Sequence, residues 1–66
     1  MKITLESMRM KRQMSQAELS RRSTVPQPMI SQIETEDVKN PTVGTLYKLA
    51  TALKCTVDDL IEEERA

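Results

Sequence analysis

The stretch that decides the fold is Ser15-Gln16-Ala17-Glu18-Leu19-Ser20-Arg21-Arg22-Ser23-Thr24-Val25-Pro26-Gln27-Pro28-Met29-Ile30-Ser31-Gln32-Ile33-Glu34. Ser15 with Glu18 three residues later has the form of a capping box, so a helix opens there and runs to about Ser23, with Ala17 and Leu19 available for burial. Thr24 and Val25 then make a tight turn. Pro26 and Pro28 fit only the first turn of a following helix, where the amide hydrogens lack partners in any case. That second helix spans Pro26 to Glu34. Its Ile30 and Ile33 point inward at i, i+3 spacing, which leaves Gln27, Pro28, Ser31 and Gln32 on an outer strip without formal charge.

Upstream, Thr4 is placed to cap a two-turn helix over 5–12, on which Leu5, Met8 and Arg12 share a face. Two turns are not stable alone, so that helix needs the rest of the chain. Downstream, Thr35 to Pro41 is a charged connection that ends in Asn40-Pro41, a helix stop and turn signal. Thr42 caps the next helix. Leu46, Leu49, Ala50 and Leu53 give it the i, i+3, i+4, i+7 stripe of a central packing helix over 43–53, with Gly44 in its first turn. Thr56-Val57-Asp58-Asp59 is expected to open a fifth helix, with both aspartates against its positive end and Leu60 and Ile61 turned inward. No strand is needed and no internal repeat is present, so the chain reads as all-α.

Composition narrows the function. Sixty-six residues are fewer than half of the roughly 150 that make a typical domain, so this chain is one small domain or part of one. With 38% hydrophobic and 30% charged residues, one glycine and three prolines, it falls among soluble globular chains. A domain this size buries only about 60% of its unfolded surface, and a partner subunit would raise its stability. One cysteine, Cys55, and no histidine leave no intrachain disulfide, no Cys/His zinc site and no imidazole base. Asp58 and Asp59 are adjacent and would diverge by about 100° on a helix, so they suit a solvated helix start better than acid–base work. Neither an enzyme nor a cofactor or metal is expected. The start of the chain lacks the apolar run of an export signal, and the longest uninterrupted apolar run is two residues, so no membrane span and a cytoplasmic location are expected.

Net charge is zero but uneven: residues 1–33 carry six cations against two carboxylates, and residues 34–66 carry four against eight. Such polarity suits a polyanion-binding face with an acidic remainder, although a basic segment by itself is commonly just solvated.

Two short helices joined by a tight turn, the second with short polar side chains outward, suit a helix that enters the DNA major groove. Residues 5–60 resemble the helix-turn-helix domain of Cro and lambda-repressor type, the XRE family. The resemblance is carried by Leu5-Glu6-Ser7-Met8-Arg9, by Ser15 to Leu19, by Val25 through Glu34, by Asn40-Pro41-Thr42, and by Leu46 to Leu53 with Val57-Asp58-Asp59-Leu60. It implies a compact five-helix, lambda-repressor-like domain over 5–60, with the helix-turn-helix at about 16–35 and a short acidic tail over 61–66. It further implies that Gln16 clamps a phosphate, that Gln27, Pro28, Ser31 and Gln32 reach base edges, and that Arg9 and Glu34 form a partly buried ion pair. Lys39 matches a basic residue that touches the DNA backbone. Arg9 and Arg12 are further phosphate candidates, whereas Lys11, Arg12, Arg21 and Arg22 are divided between phosphate contact and plain solvation.

Where the family commonly has glycine at helix ends, this chain has Gln13, Thr24, Glu36 and Lys54. Either those turns take another geometry or they carry the cost of left-handed non-glycine residues. Pro26 also replaces a serine or threonine cap, and Pro28 can offer only apolar contact, for instance to a thymine methyl.

The expected function is a sequence-specific DNA-binding transcriptional regulator, acting as a homodimer on a two-fold double-stranded operator. Dimer contacts would come from the connection before helix 4 and from helix 5, with Ile61 a candidate. The alternative is a protein-interaction module of the same fold, an antitoxin or anti-regulator, that titrates another protein through helix 5 and its acidic end.

Overall fold

The central helix is built as its stripe demands. Thr42 Oγ1 accepts from the Thr45 N–H at 3.2 Å and so closes the first turn, while Leu46, Leu49, Ala50 and Leu53 all go under. The computed structural model describes residues 2–35 and 41–62. In chain order these form strand β1 (Lys2–Ile3), helices α1 (Leu5–Lys11), α2 (Gln16–Ser23), α3 (Gln27–Glu34) and α4 (Val43–Ala52), a 3-10 turn (Asp58–Leu60) and strand β2 (Ile61–Glu62). Helix α2 packs against both α3 and α4, α1 lies on α3, and the 3-10 turn closes over α4. The core between them is wholly aliphatic: Leu5, Leu19, Val25, Ile30, Ile33, Leu46, Leu49, Ala50, Leu53 and Leu60. The chain has no Phe or Trp and its single tyrosine, Tyr47, is exposed, so stability rests on close packing of branched side chains.

Four details correct the sequence reading. The expected fifth helix is only the 3-10 turn. Thr56 and Asp59 do form a reciprocal box, in which Asp59 Oδ2 accepts from the Thr56 N–H at 3.0 Å and Thr56 Oγ1 accepts from the Asp59 N–H at 3.2 Å. The end of the turn is instead tied across to residue 4. The Thr4 N–H donates to Leu60 O at 2.8 Å and Thr4 Oγ1 donates to Asp59 O at 3.1 Å. The chain turns extended at Ile61, φ −115 and ψ 126. It pairs antiparallel with β1, Ile3 opposite Ile61, a two-stranded ladder where no strand was expected. Thr4 occupies the cap position of α1 without capping it through its side chain. Finally, Ser15 caps α2 by accepting from the Glu18 N–H at 3.1 Å, but the Glu18 carboxylate turns to Arg21 and Arg22 instead of reaching back, and Ala17 is exposed while Ser23 is buried.

Three helices end in left-handed residues that are not glycine: Gln13 at φ 55, Thr24 at φ 62 and Lys54 at φ 57. Around Gln13 the Met14 N–H bonds to Arg9 O and the Gln13 N–H to Met10 O; around Lys54 the Cys55 N–H bonds to Ala50 O and the Lys54 N–H to Thr51 O. Both are the paired terminal bonds of a Schellman motif, which satisfy the last carbonyls of α1 and α4. Of the two alternatives the turns keep left-handed geometry and accept its cost at these three positions. The fourth, Glu36, lies outside the described residues. No helix among the described residues is long and apolar enough to cross a membrane.

Candidate nucleic-acid interface

The α2–α3 turn is fixed by small hydroxyl side chains. Thr24 takes the left-handed conformation, and its N–H bonds back to Ser20 O at 2.9 Å. Ser20 Oγ donates to Val25 O at 2.6 Å, and the Val25 N–H donates to Ser23 Oγ at 3.2 Å. Val25 itself is buried, so the turn is anchored by one apolar side chain and two serines. Ser20 and Ser23 were not singled out from sequence. The signal available was a pair of small hydroxyls in the last turn of a helix before a break, a pattern suited to bonding local backbone.

Helix α3 starts at Gln27 with Pro26 as its cap residue, one position later than the sequence reading. Pro26 has no side-chain donor or acceptor to offer the helix end. The cost is small. Pro28 has no N–H to satisfy, and the N–H groups of Met29 and Ile30 both reach Pro26 O, at 3.0 and 3.2 Å. With Ile30 and Ile33 pinned in the core, Gln27, Pro28 and Gln32 stand in solvent and Ser31 is half-buried beside them. No charged side chain interrupts the strip, and the amides of Gln27 and Gln32 have no side-chain partner among the described residues. Each amide thus presents a donor and an acceptor side by side, the pattern that matches the N7 and N6 edge of adenine.

At the other end of α3, Glu34 is tied inward. Arg9 Nε donates to Glu34 Oε2 at 2.8 Å and Arg9 Nη2 to Oε1 at 3.2 Å, a bidentate pair whose side chains are 12% and 4% exposed. Arg9 Nη1 donates to Met14 O at 2.8 Å, which fixes the link between α1 and α2 to the same group. The bond to Glu34 raises Arg9 above its ordinary range despite burial. Removing one partner of such a pair leaves an uncompensated charge inside, a loss on the order of 3–5 kcal/mol. Among the described residues no buried side-chain nitrogen or oxygen is left without a partner.

The remaining candidates are placed elsewhere. Gln16, the first residue of α2, is half-buried and its Nε2 donates to Glu34 Oε1 at 2.9 Å. Arg12 turns away from α3: its Nε donates to Leu53 O at 2.8 Å, where it satisfies the C-terminal end of α4. Arg9 is spent on Glu34 and Met14, whereas Arg12 is exposed and engages only its Nε. Arg21 and Arg22 flank Glu18 on the exposed face of α2, at 3.0 and 3.4 Å. Lys39 and Asn40 lie outside the described residues. Ile61 is half-buried, and its backbone pairs with Ile3 in the chain's own ladder.

Cys55 is half-buried; burial and the neighbouring Asp59 push its thiol above the ordinary range, the opposite of a reactive thiolate. Among the described residues no group of three or more His, Cys, Asp or Glu could hold a metal ion.

The arrangement is a packed two-helix unit that presents an uncharged hydrogen-bonding strip to solvent. A comparison with curated proteins finds no match. The comparison with protein families matches helix-turn-helix over residues 5–60, which takes in α1 to α4 and the 3-10 turn. The chain therefore belongs to the XRE-type helix-turn-helix family of DNA-binding transcriptional regulators.

Proposed function

We propose that this chain is a sequence-specific regulator that binds a two-fold operator as a homodimer, with α3 in the major groove. The observation that carries the reading is the strip Gln27, Pro28, Ser31 and Gln32, solvated along its outer edge and backed by Ile30 and Ile33 in the core. Gln27 and Gln32 read base edges, Pro28 contributes apolar contact, and Ser31 is a shorter-range donor or acceptor. Gln16 and Lys39 hold the sugar-phosphate backbone, which sets register without reading sequence. A dimer follows from the small footprint of one eight-residue helix, since half-sites one turn apart multiply the base pairs read.

The test replaces both glutamines. Gln27→Ala with Gln32→Ala is expected to lower affinity for a selected operator on the order of 100-fold while leaving the helical circular dichroism spectrum unchanged. Retention of full selectivity by that double variant would remove these residues from the base-reading role.

One observation favours a second reading, a protein-interaction module that titrates another regulator. Val43 and Tyr47 are exposed one turn apart on α4, and Tyr47 borders a shallow groove with Arg22, Ser23, Lys48, Thr51 and Ala52. Under that reading Tyr47→Ala, and not the glutamine pair, abolishes function.

A further inference from the structure

We infer that Glu34, the last residue of α3, is the positioning residue for the Gln16 amide, holding it in the free protein in the orientation in which it donates to a DNA phosphate. The inference rests on the DNA-binding reading above and adds to it how the backbone contact and the recognition helix are kept in register. Glu34 Oε1 accepts from Gln16 Nε2 at 2.9 Å and from Arg9 Nη2 at 3.2 Å, so a single oxygen at the end of α3 ties down the first residue of α2. An ionised carboxylate can only accept, so Gln16 can present its nitrogen and not its carbonyl oxygen to Glu34. The amide flip is thereby fixed. A primary amide carries two hydrogens on that nitrogen; one is used by Glu34, and the second points away from the carboxylate. Gln16 is half-buried at the opening of α2, where first-turn backbone N–H groups also lack helical partners. A phosphate oxygen is an acceptor of the matching kind.

Charge decides whether an anion could approach a site built on a carboxylate. Arg9 bonds both Glu34 oxygens, so an approaching phosphate meets a neutral pair in place of a bare negative charge. Because Glu34 is itself on α3, displacement of the recognition helix would drag the Gln16 amide with it, and the two kinds of DNA contact move as one body. Freezing the glutamine rotamer before binding also removes an entropic cost from complex formation.

The experiment is a double-substitution cycle on a selected duplex, using Gln16→Ala, Glu34→Gln and the two combined, each checked for folding by circular dichroism. Gln16→Ala is expected to weaken binding about tenfold, the worth of one hydrogen bond to a charged acceptor. Glu34→Gln is expected to weaken binding severalfold in the native background and to add almost nothing once Gln16 is gone. A purely structural Glu34 would instead cost the same in both backgrounds, and that result overturns the inference. An unchanged affinity for Gln16→Ala also overturns it while leaving the DNA-binding reading in place. Failure of the native protein to select any duplex removes both. If Glu34→Gln does not fold, nuclear magnetic resonance of the native protein decides. Two resolved Gln16 side-chain hydrogens, of which one shifts when the duplex is added, support the inference. A pair that is averaged in the free protein or unmoved by the duplex contradicts it.

Discussion

Thr24 places a β-branched side chain at φ 62, where the Cβ crowds the following carbonyl, and Gln13 and Lys54 repeat the conformation at φ 55 and 57. Each position costs about 1 kcal/mol or more relative to glycine, a large share of a stability that in domains of this kind is only about 5–15 kcal/mol. Thr24 recovers part of its cost through Oγ1, which donates to Ser23 O. Substitution should therefore stabilise: Thr24→Gly and Lys54→Gly are each expected to add about 0.5–1 kcal/mol after the extra unfolded-chain entropy of glycine is counted, measured by chemical denaturation. Destabilisation by either change would show that the left-handed geometry is not held there. That these positions prefer glycine was legible from the sequence, because the resemblance marks the helix ends. How they accommodate other residues was not, since that depends on the Schellman bonds around them. The Gln16 to Glu34 bond was equally hidden, because it joins residues 18 apart through the packing of α2 on α3.

At the scale of elements, the helices with local signals were readable and the ones decided at a distance were not. The Ser15 and Thr42 caps and the stripe from Leu46 to Leu53 gave α2 and α4 from sequence, as the two prolines and Ile30 with Ile33 gave α3. The Thr56–Asp59 box looked like the opening of a helix for the same reason. Instead the chain is tied back to Thr4, whose Oγ1 bonds to a carbonyl 55 residues away, and no local pattern encodes that long-range contact. The two-residue strands likewise have no period to detect. This closure makes a pH prediction. The Thr56 N–H and hydroxyl bonded to the Asp59 carboxylate hold it below the usual carboxylate range of about 3.9. A carboxyl whose folded value is depressed stabilises the fold above its unfolded value, and that contribution is lost as pH falls through the folded one. Asp59→Asn should then flatten the acid side of the stability curve below about pH 4, as read by thermal unfolding over a pH series. An acid limb identical to that of the native protein would mean the carboxylate is not held by Thr56.

For the whole molecule, the decisive feature is that a formally neutral chain presents an uncharged polar strip on α3. Counterion release from phosphates scales with the lysines and arginines that reach them, and the structure engages Arg9 and Arg12 in internal bonds. Under the proposed function, affinity for random DNA is accordingly expected to be weak, with binding dependent on base contacts and on a second subunit. The central measurement is selection of bound duplexes from a random library at near-physiological salt, with the enriched sequence titrated over a salt series. Convergence on a palindrome with half-sites about 34 Å apart, and an affinity that falls as salt rises, is the predicted result. No enrichment by protein that is folded by circular dichroism would contradict it and shift the function to the exposed Val43 and Tyr47 face.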